Sequence, residues 1–341
     1  MIIILAFAVL VLMFVCPFLP GIIEYYQKTD ADPLFVPIDF SRTPRYFGAS
    51  FRHILSASLS HLDVEKDQIT DIMLSKKEKV EITADKIIPA GERVDHILNV
   101  RGNLKSGNNV KFNTNIFATG NVFLGEANDV HVLAADGNVS IAQGTKIDRW
   151  VDAEDVLDVA ANCDLGISAT SGGVLRIAEN NRFRRLYGMP IVAGINGQPQ
   201  PVAFENKLFT EVILPDNSFI RRRKKRVNDD TEVAQNIVFE KSVKIGSGCI
   251  FRGAVKSYGN IDIKDNVAVY GNVFADGDVR VGRGSVVLGN LFSQGSIYLA
   301  SGVKVSRPGV FKSVIGKKAV YIEKGVTIYG YVATEGKGLT L

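Results

Sequence analysis

The sequence predicts an all-β protein: a three-sided β-solenoid of about 18 residues per turn, preceded by a transmembrane helix and interrupted by an irregular insert. Three observations predict it. Gly259, Gly277 and Gly295 lie 18 residues apart, as do Gly253, Gly271 and Gly289. Inside that spacing, apolar or small residues recur as i, i+2 pairs every six residues, as in Ile261/Ile263, Val267/Val269, Val273/Ala275 and Val279/Val281. Finally, Met1 to Ile23 contains no charged side chain.

The six-residue step defines the solenoid. Side chains alternate across a strand, so each i, i+2 pair points one way, and three such steps close one turn. Glycine and asparagine at the corners supply left-handed or tight backbone, as at Gly246, Gly248, Gly282, Gly284, Asn260, Asn272 and Asn290. The first half repeats less cleanly. Leu104, Val122, Val139, Leu157 and Leu175 open equivalent strands at spacings of 18, 17, 18 and 18, with one residue missing between Leu124 and Val139. Gly102-Asn103, Gly120-Asn121 and Gly137-Asn138 mark one corner, where stacked asparagines can form a ladder. The expected division is a membrane helix over 1–26, a stalk with an amphipathic helix over 27–94, a first coil over 95–178, a basic insert over 179–235 and a second coil over 236–341. A five-residue insertion falls near Ser306 to Lys318.

An uncharged run of this length, coiled as a helix at ~1.5 Å per residue, spans roughly 30 Å of hydrocarbon. No Lys or Arg precedes the run and no small-x-small pattern follows it, which favours an anchor over a cleaved signal peptide. Lys28, Arg42, Arg45 and Arg52 follow it, so the positive-inside rule places the body of the chain in the cytoplasm. Thr43-Pro44 reads as a helix start, and Phe47, Phe51, Ile54, Leu55 and Leu59 recur at helical spacing with Arg45, Arg52 and His53 on the other side. That apolar face packs either on the domain behind it or against the membrane, which makes Phe47 and Phe51 candidate contacts.

Composition narrows the function classes. Of 341 residues, 46% are hydrophobic and 22% charged, with a net charge of +4, which excludes general disorder and is too small to indicate nucleic-acid binding. Cys16, Cys163 and Cys249 are odd in number and widely spaced, so neither a disulfide framework nor a CxxC metal site is expected. The insert holds the densest basic run, Arg221, Arg222, Arg223, Lys224, Lys225 and Arg226. It reads as a solvated loop or as a patch for anionic lipid or an acidic partner. No aromatic platform accompanies it, so nucleic acid is not the expected partner. Arg149 beside Trp150, the one tryptophan, has the composition of an interface hot spot. Asp148, Asp152, Glu154, Asp155 and Asp158 cluster around them; Asp152, Glu154 and Asp158 are expected on the outside of a flat strand surface, without the cleft that acid–base work needs.

The segment GNVFADGDVRVGRGSVVLGNLFSQGSIYLASGVKV, Gly271 to Val305, resembles the bactofilins, the polymer-forming cytoskeletal family of bacteria. The resemblance covers the second coil best and the first loosely. It implies a right-handed β-helix that assembles end to end without a nucleotide cofactor, and a non-catalytic, membrane-tethered scaffold for cell-wall or envelope polysaccharide enzymes at the cytoplasmic membrane. It also implies a homo-oligomer or filament, with a membrane glycosyltransferase as a possible partner. The rival reading is a hexapeptide-repeat acyltransferase, whose left-handed coil has the same number of residues per turn. Such enzymes normally need a histidine base, and the chain offers only His53, His61, His96 and His131. None lies in the regular second coil. No phosphate loop, HExxH or GxSxG occurs, and no catalytic, cofactor or metal site is expected.

Overall fold

The computed structural model describes residues 10, 13, 16–20, 23, 44–59, 68–73, 77–194, 219–223 and 225–341. The described chain is a β-solenoid of about 13 turns with about 18 residues per turn. Each turn carries three strands, and each strand pairs in parallel with its equivalents in the turns before and after. On face B of the first coil, Lys86–Ile88, Leu104–Ser106, Val122–Leu124, Val139–Ile141, Leu157–Val159 and Leu175–Ile177 stack in that order. The register Leu104↔Val122↔Val139↔Leu157↔Leu175 is the one the spacing predicts. Face A runs from Lys77–Thr83 and Ile97–Val100 through the later parts of Lys111–Ala118, Asp129–Ala135 and Lys146–Ala153 to Ser168–Ser171. Face C is formed by Arg93–Val94 and the earlier parts of the same long strands, which bend at the C–A corner.

Alternation does the folding. In Leu104–Ser106 the outer two side chains are buried and Lys105 is exposed, and in Val279–Val281 the valines are buried around exposed Arg280. The inward residues form one continuous apolar core from Ile88 to Val332 that includes Cys163 and Cys249. Each buried Val, Leu or Ile contributes ~1.5–3 kcal/mol. Both thiols pack as small core residues, and burial raises their pKa above the ordinary thiol value.

Corner asparagines tie turn to turn. Asn103 Oδ1 accepts the Asn121 N–H at 2.9 Å, Asn121 Oδ1 accepts the Asn138 N–H at 2.9 Å, and Asn138 Oδ1 accepts the Val156 N–H at 3.2 Å. The same device recurs where Asn272 accepts from Asn290 and Asn290 from Ser313. Gly248 and Gly284, with φ of 70° and 65°, turn the same corner two turns apart, and Asn266, φ 58°, turns it in the turn between. The missing residue of the first coil sits at His131. One residue there separates Val130 from Val132, where the neighbouring turns use Asn113-Thr114 and Asp148-Arg149. The insertion in the second coil lengthens the step from Leu291 to its partner Val314 to 23 residues.

The two coils form one rod, joined end to end. Arg182–Ala193, the last turn of the first coil, pairs with Thr327–Thr340, the last turn of the second, in antiparallel register: Leu186↔Val332, Tyr187↔Tyr331, Gly188↔Gly330, Ile191↔Ile328. Both coils advance toward the joint, so their facing edges run in opposite directions and only antiparallel pairing satisfies both. At ~4.8 Å per turn the rod is roughly 60 Å long. Two boundaries differ from expectation. The first coil begins at Lys77, not near 95, with the hairpin strand Gln68–Met73 on its outer edge. The expected insert is also shorter, because Arg182–Ala193 belongs to the first coil and Phe219–Arg222, Arg226–Val227 and Glu232–Val233 are the first turn of the second. Polar outer residues hide these turns from a hydrophobic count. The apolar stretch Leu208 to Leu214, which reads as a strand within the insert from its sequence, lies outside the described residues. So does most of the expected membrane helix, and no helix among the described residues is long and apolar enough to cross a membrane.

Asn121→Ala removes the acceptor of the Asn138 N–H in this exposed corner ladder, and we expect a loss of ~0.5–1.5 kcal/mol, read from denaturant unfolding of the rod.

Candidate docking site on face A

Helix α1, Tyr46–Leu59, lies across face A of the first coil. Pro44 and Arg45 form the turn before it, and Thr43 lies outside the described residues. Phe51 and Leu55, one turn apart, pack on outward-facing Val80, Ile82, Ile97 and Ala134 in a second apolar cluster separate from the core. Trp150 borders that cluster. Its indole stacks on Phe47, with centroids 6.4 Å apart and planes 19° apart, and meets Phe51 edge to face at 5.8 Å. The pairing of Trp150 with Phe47 and Phe51 joins three of the residues singled out in the sequence.

Arg45 and Arg52 do not line the far side of the helix. They point into the coil, because residues 45, 48 and 52 form a stripe beside the apolar one. Arg45 donates through Nε and Nη2 to the two carboxylate oxygens of Asp152, each at 2.8 Å, and through Nη2 to Glu154 at 2.7 Å. Arg52 donates to Asp152 Oδ2, to Asp136 at 2.7 Å and to the Ala135 carbonyl at 2.5 Å. Thr170 Oγ, one turn on in the ladder, donates to Asp152 Oδ1 at 2.5 Å. The Asp152 side chain is 1% exposed. It sits on the outside of the solenoid, as expected, but under the helix. A carboxylate buried with two guanidiniums and a hydroxyl has its lone pairs satisfied, and removing either side leaves an unpaired buried charge. Gly48 permits the approach, since a Cβ there would lie 2.4 Å from Asp152 Oδ2.

These contacts set the charge states. Burial alone would lower the Arg45 pKa, but hydrogen bonds to Asp152 and Glu154 raise it well above the ordinary arginine value. The Arg45 hydrogen bond holds Glu154 below the ordinary glutamate range. Elsewhere on face A, burial pushes Glu81 up, and hydrogen bonds from Lys86 and His96 bring it down below its ordinary value.

The other sequence candidates lie apart from this site. Arg149 is exposed on the C–A corner beside Trp150. Arg221, Arg222 and Arg226 are exposed on strands at the far end of the rod, with Arg221 and Arg223 near Glu240 at 3.7 and 3.0 Å and Lys225 exposed between strands. Lys224 lies outside the described residues. His131 projects outward at its corner, 3.7 Å from Asp148. No group of His, Cys, Asp and Glu among the described residues could hold a metal ion. Sequence reasoning missed Arg45, Gly48, Arg52, Asp136 and Thr170 as one network. The available signals were the i, i+3, i+7 spacing in the helix and the 18-residue step from Asp152 to Thr170. Compared with known proteins, the chain matches no family model, no curated protein and no solved structure.

Gly48→Ala should release α1, although alanine favours a helix interior by ~1 kcal/mol, because the clash with Asp152 outweighs propensity. Asp152→Ala should release it by ~3–5 kcal/mol. Both are read as a red shift of Trp150 emission. The depressed Glu154 pKa means that this carboxylate supports docking above the ordinary glutamate range and loses its contribution as pH falls through the lower folded-state value. The same red shift should therefore appear only below the ordinary glutamate range in an acid titration.

Proposed function

We propose that this chain is a membrane-anchored, non-catalytic scaffold of the bactofilin type. It is held single-pass in a bacterial cytoplasmic membrane with the rod in the cytoplasm, and it self-associates or organises an enzyme of envelope polysaccharide or cell-wall synthesis. The observation that carries the reading is one unbroken rod, with the helix that follows the apolar N-terminal run clamped to its side by a buried ion network. Such a clamp transmits the position of the N-terminus to the rod. Leu10, Met13, Phe18, Leu19 and Ile23, the large apolar side chains described in that run, are all exposed, which suits burial in lipid.

The ends of the rod support self-association. The joint uses one edge of each coil. Among the described residues, Lys86–Ile88 and Arg93–Val94 at one end, and Phe219–Arg222, Arg226–Val227 and Glu232–Val233 at the other, have a strand partner on one side only. Open edges of this kind template further strand pairing. The acyltransferase reading rests on His131, which faces outward beside Asp148; it predicts that His131→Ala abolishes an activity, and the scaffold reading predicts indifference.

The test is gentle detergent extraction of tagged full-length protein from its native membrane, followed by mass photometry and identification of co-purifying chains. Oligomers, or a stoichiometric complex with an envelope-polymer enzyme, are expected. A monomer with neither, or a soluble protein recovered without detergent, would overturn the reading.

A further inference from the structure

The joint swaps two faces of the rod. Arg185 pairs with Ala333 and Leu186 with Val332, so face A continues through the joint into the stack from Asn236–Phe239 to Lys312–Gly316, face A of the second coil, while face C of the first coil meets, through Phe183 and Gly338, the stack from Val243–Ile245 to Ala319–Ile322, face B of the second. The C–A corner of the first coil therefore lines up with the A–B corner of the second, along one long edge. That edge collects cations from distant parts of the sequence. Arg184 and Arg185 come from the last turn of the first coil, Lys337 from the turn pairing with it, and Lys317 and Lys318 from the next turn, where Gly316 pairs with Thr334 and Ala319 with Lys337. Arg149 continues the edge toward α1, and Lys241 and Arg223 continue it toward the far end.

All of these side chains are exposed. Among the described residues, Arg149, Arg184, Arg185, Lys317, Lys318 and Lys337 form no ion pair. The carboxylates on the same edge are mostly engaged: Asp95 with Arg93, Asp148 with Lys146, Glu240 with Arg223, and Asp278 with the Ser296 N–H, while Asp276 is exposed between Lys241 and Lys317. Glu335 is exposed. The edge between faces B and C is acidic in balance, carrying exposed Glu92, Glu126, Glu179, Asp229, Asp230 and Asp265 against exposed Lys264, Arg283 and Lys324. The rod thus has a basic edge and an acidic edge.

The basic edge also holds the apolar flank of α1. Phe47 and Ile54 project on the side of the helix that carries Trp150, and they remain 43% and 48% exposed, with Tyr46 at 61%. Cations in a line with exposed aromatic and aliphatic side chains at one end suit an anionic bilayer surface, where apolar groups enter the headgroup region and Lys and Arg meet lipid phosphates. The apolar run ends about 20 residues before α1, a stretch that reaches at most ~70 Å when extended, so this edge is within reach of the bilayer that run would occupy. We infer that the rod lies along an anionic membrane on this edge, with the flank of α1 at the interface and the acidic edge turned away. The inference rests on the anchored reading and adds an orientation and a lipid class to it.

The full-length chain carries its own reporter, because Trp150 is the single tryptophan. Reconstituted into vesicles of phosphatidylcholine with or without phosphatidylglycerol, and with brominated lipid as quencher, Trp150 emission should be quenched in the anionic vesicles at low salt and recover at high salt. A K317E/K318E/K337E variant should lose the anionic-lipid quenching by at least about fivefold. An E126K/E179K variant on the opposite edge should keep it, and circular dichroism should show both rods intact. Trp150 left unquenched while the protein still floats with the vesicles after an alkaline wash would overturn the orientation and leave the anchor standing. Equal quenching in both lipids that is indifferent to the charge reversal would also overturn it. So would binding of a soluble polyuronate that the triple variant loses, with Trp150 unquenched on vesicles, since the edge would then be a polysaccharide site. Release by the alkaline wash defeats the anchored reading alone, because quenching before the wash still reads the edge.

Discussion

Everything in this molecule depends on satisfying strand edges. A parallel solenoid pairs each turn with its neighbours but leaves two open ends, and an unpaired row of backbone donors and acceptors is costly when buried and adhesive when exposed. Two separate coils would present four such ends. Turning the coils to meet at their last turns removes two of them inside one chain, through the antiparallel ladder of Arg182–Ala193 with Thr327–Thr340. Close packing at this ladder explains local irregularities: bulges interrupt its register, and Gly338 stands where a Cβ would meet the Phe183 ring at 2.3 Å.

The same joint decides how the outer surface is arranged. Because the coils face each other, face A is shared while B and C exchange partners, and corners distant in sequence become one edge. The +4 of the whole chain says little about this. The charge is sorted by corner, so a modest excess becomes a basic edge opposite an acidic one. Helix α1 is placed on the shared face by a different force, the need of buried Asp152 for two guanidiniums and a hydroxyl. A charge placed there without partners would be expelled to solvent or protonated, so the helix and the carboxylate require each other.

Several sequence expectations describe the molecule well because they rest on local periodicity. The register of Leu104, Val122, Val139, Leu157 and Leu175, the asparagine ladder, the slip near His131 and the insertion after Ser306 all follow from counting residues between like side chains. Where the outer residues are polar or the turns carry extra chain, the count loses phase, and Lys77–Thr83 and Phe219–Arg222 read as stalk and insert although they are turns of the coils. The alternation along the strand puts Asp152, Glu154 and Asp158 outside the coil, and there they lie. The burial of Asp152 is not visible in the sequence, since its guanidinium partners lie 107 and 100 residues earlier, at positions expected on the side of the helix opposite the apolar stripe.

The sequence by itself determined the solenoid, its 18-residue turn and which side chains point inward, because a strand's two-residue alternation and a repeated corner are properties of short segments. It also determined that residues 1–23 form an uncharged, largely apolar run. Only the tertiary structure decided that the two coils make one rod, that they meet end to end, and that α1 covers Asp152. Only it could show which cations share an edge. Those outcomes depend on which strand edges and buried charges find partners across long loops, and residue spacing carries no information about a partner outside the repeat.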